Sequence, residues 1–127
     1  MQLAPDNLQA LLDKGVLCLQ AGEFSNAIPV FTRALSLTNA YGARINRGLA
    51  YLQTAQWNAA EADYKEALRA FPTAYQPYYG MAEAARGRGD TNAAIRYYQQ
   101  YLSNAPTNRG EFRAVTARLE SLQPRAP

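Results

Sequence analysis

The chain contains NAIPVFTRAL at residues 26–35, and the same pattern returns as AAEADYKEAL at 59–68 and AAIRYYQQYL at 93–102. In each stretch an alanine is followed four residues later by an aromatic residue. The aromatic is followed, after three and four residues, by a small or aromatic residue and by leucine. The anchoring alanines, which lie 33 and 34 residues apart, are Ala27, Ala60 and Ala94. A fixed period of this length indicates a repeat architecture in which similar units stack.

Each half of the repeated unit has the apolar spacing of an amphipathic helix. Apolar or small residues follow one another at steps of three and four rather than alternating, as at Leu8, Leu11, Leu12, Gly15, Cys18 and Leu19. Turn-forming residues separate the halves, and Asp90 suits a helix N-cap. We therefore predict seven helices, near residues 8–21, 24–37, 41–54, 57–70, 75–88, 91–104 and 109–122.

Small residues are predicted to let the two helices of each unit cross closely. On the first helix these are Gly15, Gly48 and Ala82, and they are expected to face the anchoring alanines of the second helix. The aromatic residue of each pattern lies one turn further along and is expected to fill the space toward the next unit. The aromatic residues concerned are Phe31, Tyr64 and Tyr98. These features predict an all-α fold of stacked helical hairpins.

Three further features carry local expectations. Pro29 falls inside a predicted helix, where the missing N–H and the ring disfavour helical structure, so that helix is expected to start late or to bend. Cys18 lies on the packing stripe and is expected to be an inert, buried thiol. Glu61, Asp63 and Glu66 are expected on a solvated helix face.

The three copies of the pattern, with their small residues and aromatic residues at a period of 33 and 34, resemble tetratricopeptide repeats. The unit of that family is a helix-turn-helix of 34 residues. The resemblance covers residues 8–108 and implies a right-handed α-solenoid of about seven helices. It also implies a non-catalytic protein-interaction scaffold. The chain departs from the family pattern at Lys14, Arg44 and Arg47, where bulky apolar residues are usual, and at Asn39, where proline is usual. We therefore expect looser packing in the first two units.

The repeat pattern divides the chain into consecutive segments. The first residues resemble the end of a repeat, which suggests truncation of an upstream repeat. At the other end, a capping helix is predicted from its apolar stripe of Phe112, Val115, Leu119 and Leu122. We expect an N-terminal extension or truncated repeat at 1–7, repeats at 8–40, 41–74 and 75–108, a capping helix at 109–122, and a Pro-rich tail at 123–127.

The composition argues against catalysis. The chain has no histidine and a single cysteine, which excludes imidazole acid–base chemistry, Cys–His nucleophiles and an internal disulfide. The sequence contains no Gly-rich phosphate loop and no metal-ligand constellation. We therefore expect no enzyme activity, no metal and no cofactor.

Charge and hydropathy limit the partners. Residues 1–85 carry six basic and seven acidic side chains, whereas residues 86–127 carry seven arginines and three acids. These arginines are too scattered for a nucleic-acid stripe. Neither a transmembrane segment nor a signal peptide is recognisable, so a cytoplasmic location is the default expectation. The low Lys content beside frequent Ala, Arg and Gln favours a bacterial source.

The first helix of each unit is expected to line the concave side of the curved stack. One helix face away from the packing stripe lie the candidate residues of a partner-binding groove: Leu12, Val16, Leu19, Ile45, Leu49, Leu52, Tyr79, Glu83 and Arg86. This groove, apolar at one end and charged at the other, suits a peptide or an amphipathic segment. The alternative is that the apolar side chains only pack against one another.

Other binding modes fit the residues less well than the groove. Relatives that hold the C-terminal carboxylate of chaperones use Lys, Asn and Arg, but the matching positions here are Leu12, Val16, Asn46, Gln76 and Gly80. We expect no affinity for such acidic C-terminal peptides. A homodimer through apolar solenoid ends is one alternative. An RNA-binding helical repeat is a second, disfavoured because base-reading positions carry Leu12, Ile45 and Tyr79.

Overall fold

The computed structural model describes residues 7–107 and 110–123, and within them the chain forms seven α-helices and no strand. The helices are α1 Leu8–Gln20, α2 Phe24–Leu37, α3 Tyr41–Gln53, α4 Trp57–Ala70, α5 Gln76–Gly87, α6 Thr91–Asn104 and α7 Gly110–Leu122. Each begins and ends within one residue of its predicted bounds. The all-α prediction is confirmed. The expectations for residues 1–6 and 124–127 fall outside the described residues.

The helices pack as hairpins in a stack. Helix α1 packs on α2, α3 on α4, α5 on α6, and α7 on α6, while neighbouring hairpins meet where α2 touches α3 and α4 touches α5. The first helices also touch one another, α1 with α3 and α3 with α5, and no comparable contact joins α2 with α4 or α4 with α6 in the described ranges. The stack is therefore an α-solenoid with α1, α3 and α5 on its inner side.

The same turn joins the two helices of every hairpin. In each, the second residue after the first helix adopts a left-handed conformation: Gly22 (φ 76°), Ala55 (φ 59°) and Gly89 (φ 87°). A backbone hydrogen bond of 2.8 Å closes each turn, as from the N–H of Gln56 to the carbonyl of Tyr51. The middle turn is the strained one, because alanine disfavours this conformation by about 1–2 kcal/mol.

The glycines of the first helices receive aromatic rings, which revises the predicted packing. A Cβ on Gly15 would lie 2.5 Å from the ring of Phe31, and one on Gly48 would lie 2.9 Å from the ring of Tyr64. In each of these two hairpins the aromatic ring of the second helix therefore occupies the space beside the glycine of the first helix. The prediction had placed the anchoring alanine there. Tyr64 also reaches the next hairpin, where a Cβ on Gly80 would lie 2.2 Å from its ring. Tyr64 thus packs between two hairpins, as predicted for this aromatic position.

Pro29 does not delay the start of its helix. Helix α2 begins at Phe24, its predicted first residue, and runs on past the proline. Pro29 and Ser25, the residue whose carbonyl loses its helical partner, are both exposed, so water can satisfy that carbonyl. The expectation of a late start was wrong because the proline faces solvent.

Asp63 is buried, contrary to the expected solvated face. Its side chain is 4% exposed and accepts hydrogen bonds from Nε (2.8 Å) and Nη2 (2.6 Å) of Arg47. Nη1 of Arg47 donates to Thr32 of α2 at 3.1 Å, and Arg44 lies 3.6 Å from the same carboxylate. The two departures from the family pattern in α3 thus surround one acid, and the pair joins α3 to α4. The hydrogen bond from Arg47 to Asp63 raises the pKa of Arg47.

The other two acids of this helix are only partly exposed. Glu61 accepts from Arg88 at 2.6 Å and lies 3.1 Å from Lys65, and Glu66 accepts from Arg69 at 2.6 Å. Glu61 therefore links α4 to the end of α5, whereas Glu66 is paired within its own helix.

Candidate functional site

The nine predicted groove residues divide into two groups. Leu12, Val16 and Leu19 of α1 are half-buried and pack against the core between α1, α2 and α3. Ile45 packs in the same way against the core between α3, α4 and α5. For these four side chains, internal packing accounts for the apolar character that suggested a groove. Leu52 and Tyr79 also pack against a core, but unlike these four they line an open cleft as well.

The other five residues line one open cleft on the inner side. Its volume is about 370 Å³, and its walls come from α3, the first residue of α4, and α5. The predicted residues that line it are Leu49, Leu52, Tyr79, Glu83 and Arg86. Leu49 is a large apolar residue left 37% exposed, and within the cleft it lies among other apolar and aromatic side chains, those of Leu52, Trp57 and Tyr79. These five residues, chosen from the repeat period, therefore lie together around one cleft in the structure.

Three lining residues were missed from the sequence: Gln53, Trp57 and Gly87. Trp57 opens α4, and its indole packs directly on the backbone of α5, because a Cβ on Gly87 would lie 2.7 Å from the ring. One sequence signal could have identified Trp57: it lies three positions before the anchoring Ala60. Phe24 has the same position relative to Ala27. The indole forms one wall of the cleft, and Gly87 provides the space that it needs.

The charged end of the cleft is organised around Glu83. This carboxylate accepts a hydrogen bond from the hydroxyl of Tyr98 in α6, and both its oxygens lie 3.0 Å from Nη1 of Arg118 in α7. Arg86, one turn along α5, approaches it at 3.5 Å. Burial, and then the hydrogen bond to Glu83, raise the pKa of Tyr98 above its ordinary value. Glu83 thus connects α5, α6 and α7 beside the cleft.

Tyrosine rings support this end of the site. The ring of Tyr79 lies 6.5 Å from that of Tyr98 and 6.0 Å from that of Tyr101, centroid to centroid. Both partners are fully buried, and Tyr79 is half-buried at the cleft surface. Burial, followed by the nearby charge of Glu83, raises the pKa of Tyr79 as well. Tyr79 therefore presents a neutral, rigid face to whatever occupies the cleft.

The remaining reactive groups lie away from the cleft or are buried. Cys18 is a free thiol buried in the first core, where the sequence predicted it. Among the described residues, no group of three or more Cys, Asp or Glu side chains is placed to hold a metal ion. Within that same part of the chain, no helix is long and apolar enough to cross a membrane.

Solved structures with the same architecture are helical-repeat proteins. The type III secretion translocator chaperone SycD of Yersinia enterocolitica matches with a TM-score of 0.84 at 18% identity, over 95% of this chain and 86% of that one. A further structure of SycD, with TM-score 0.80, contains a peptide of the translocator YopD. The first repeat domain of Spaghetti (RPAP3), bound to an HSP90 peptide, matches with TM-score 0.76 at 20% identity over 94% and 98% of the two chains.

Sequence comparison gives the family. Serine/threonine-protein phosphatase T of Trypanosoma brucei brucei is 35% identical over 82 residues, which are 65% of this chain but only 17% of that protein's length. The tetratricopeptide repeat model matches residues 1–41 and 45–109, most of the chain. The stacked hairpins, the repeat period and this match agree, and the chain belongs to the tetratricopeptide repeat family.

Proposed function

We propose that this chain is a non-catalytic protein-interaction scaffold that binds a peptide or amphipathic segment in the cleft between α3 and α5. The observation that carries the proposal is Leu49, an exposed leucine in a cleft that also contains an indole, a tyrosine ring and paired charges. Structural neighbours that hold peptides, the SycD and RPAP3 complexes, support it. Because Leu12, Val16, Leu19 and Ile45 pack inward, the proposed site comprises the α3 and α5 residues and Trp57.

The apolar area of the cleft limits the affinity. A partner that covered about 300–400 Å² of apolar surface would gain roughly 7–10 kcal/mol, at about 25 cal/mol per Å². Association costs roughly 4–15 kcal/mol in lost freedom. Binding is therefore expected to be weak to micromolar and to depend on a few side chains.

Leu49→Asp is expected to weaken binding at least tenfold, because it removes apolar contact and places an unpaired carboxylate beneath the bound segment. The probe is the best binder from a displayed random library of 12-residue peptides selected on the wild-type chain, measured by titration calorimetry. Leu37→Asp is the matched control, since Leu37 is also an exposed leucine but lies at the end of α2. No enriched peptide, or equal losses in both variants, would rule out the cleft as the binding site.

The arginines of the C-terminal third do not favour a nucleic-acid partner. Arg88 is paired with Glu61 at 2.6 Å and with Asp90 at 3.5 Å, and the other arginines of this third are separated along the sequence. A nucleic-acid surface needs unpaired cations in a continuous stripe. We therefore infer a protein or peptide partner rather than DNA or RNA.

Self-association through the α1 end is a second candidate, favoured by the exposure of Leu17. Its side chain is 64% exposed, whereas the equivalent positions in the next two hairpins, Ala50 and Ala84, are fully buried beneath a preceding helix. A second copy could cover this face of α1. Light scattering over a concentration series is then expected to show a dimer that Leu17→Lys dissociates, with unchanged helicity. A wild-type monomer at high micromolar concentration would contradict self-association.

A further inference from the structure

We infer that the charged end of the cleft selects a partner segment that carries an Asp or Glu side chain beside its apolar residues, and that Arg86 and Arg118 recognise this carboxylate. The inference rests on the proposed peptide-binding function and adds the charge of the segment. Arg118 belongs to α7, so the capping helix takes part in recognition as well as in closing the stack.

Glu83 does not compete as an acceptor at this end. Its side chain is 17% exposed, and both of its oxygens already accept hydrogen bonds, from Tyr98 and from Arg118. A partner's lysine or arginine would have to displace these bonds to reach it. The only carboxylate among the lining residues of the cleft is therefore already satisfied by the protein's own donors.

The two guanidinium groups keep donors to spare. The Arg86 and Arg118 side chains are 46% and 39% exposed, and each guanidinium has five N–H groups. Arg86 makes one ion pair at 3.5 Å, and Arg118 contacts Glu83 through Nη1. Together with Glu83 they form a triad of net charge +1, so this end offers hydrogen-bond donors and excess positive charge. Planar guanidinium groups match the geometry of a carboxylate.

The position of the triad sets the pattern of the ligand. Leu49 and Leu52 lie on α3, and Arg86 faces them from α5 across the same cleft. A segment whose apolar side chains cover the leucines therefore brings a neighbouring residue to the triad. This differs from capture of a C-terminal carboxylate, for which the matching positions here are apolar or lack charge. A basic residue at that point would meet like charge.

The test repeats the 12-residue library selection on the wild-type chain and on Arg86→Glu. Wild-type selection is expected to enrich Asp or Glu next to pairs of apolar residues, and Arg86→Glu is expected to shift that position to Lys or Arg. The matched control is Arg96→Glu on α6, an exposed arginine outside the cleft lining, which should select the wild-type pattern. Circular dichroism shows whether each variant keeps its helices.

The selected wild-type peptide gives a second measurement. Its affinity is expected to fall about 5- to 20-fold for Arg86→Glu and by a smaller factor for Arg118→Gln, in the range of rim charges that steer binding. Raising NaCl from about 50 to about 500 mM should weaken wild-type binding more than that of Arg86→Gln. Peptides that bind through Leu49 without any acidic preference would overturn this inference and leave the proposed function standing. Binding that is insensitive to Leu49→Asp would overturn both.

Discussion

Replacing Asp63 with alanine is expected to lower the free energy of unfolding by about 3–5 kcal/mol, the usual cost of removing one partner of a buried ion pair. The guanidinium of Arg47 would keep its position between α3 and α4 but lose both hydrogen bonds to the carboxylate. Its remaining side-chain hydrogen bond would be the one that Nη1 donates to the hydroxyl of Thr32. Denaturant unfolding followed by circular dichroism measures the loss.

The chain offers its own control for this prediction. In the third hairpin the positions equivalent to Arg47 and Asp63 are Met81 and Tyr97, so the double variant Arg47→Met with Asp63→Tyr reproduces an arrangement that the protein already uses. We expect it to recover most of the stability lost in Asp63→Ala, because apolar packing often replaces a buried ion pair without loss. Glu66→Ala on the same helix should change stability little. Equal effects of Asp63→Ala and Glu66→Ala would contradict the structural role of the pair.

Gly80→Ala is expected to destabilise the stack by about 1–3 kcal/mol through overpacking. The added Cβ would lie 2.2–2.5 Å from three ring atoms of Tyr64, which is itself packed between two hairpins and has little room to move. Alanine normally brings a gain of roughly 1 kcal/mol to a helix interior, so the expected net loss is up to about 2 kcal/mol. Thermal unfolding of the purified variant measures the balance of the two effects.

Gly42→Ala separates the steric effect from helix propensity. Gly42 lies in the first turn of α3, and a Cβ added there would meet nothing within 4 Å, so alanine should be neutral or stabilising at this position. Combining Gly80→Ala with Tyr64→Leu should restore part of the loss, since the shorter side chain vacates the notch. Stabilisation by Gly80→Ala alone would show that the ring can move aside.

The helices were predictable because every unit repeats the same apolar spacing and the same turn. The bounds of all seven helices follow from that pattern to within one residue. Asp63 was misplaced for a related reason: a carboxylate on an amphipathic helix is normally solvated, and nothing in α4 reveals its partner. The partner, Arg47, was itself noted only as a departure from the family pattern. The unusual arginine on α3 and the buried acid on α4 are the two partners of one ion pair. The apolar spacing within a single helix cannot reveal a pair that forms between two helices.

The candidate site was only partly predictable. Counting along one helix face found Leu49, Tyr79 and their neighbours, because the inner side of the stack is set by the period. It also included α1 leucines that pack inward, since the same count cannot tell a lining residue from a core residue. Trp57 and Gly87 were missed because they enter the cleft from helix ends, where a helix-face count does not apply.

Trp57 gives this cleft a built-in optical probe. It is the only tryptophan of the chain, and its indole lines the surface where a segment is proposed to bind. The emission of an indole responds to the polarity of its surroundings, so a segment that excludes water from this wall would change the signal of the unlabelled protein. Occupancy can therefore be followed by excitation of a single native chromophore, without attaching a dye to either molecule.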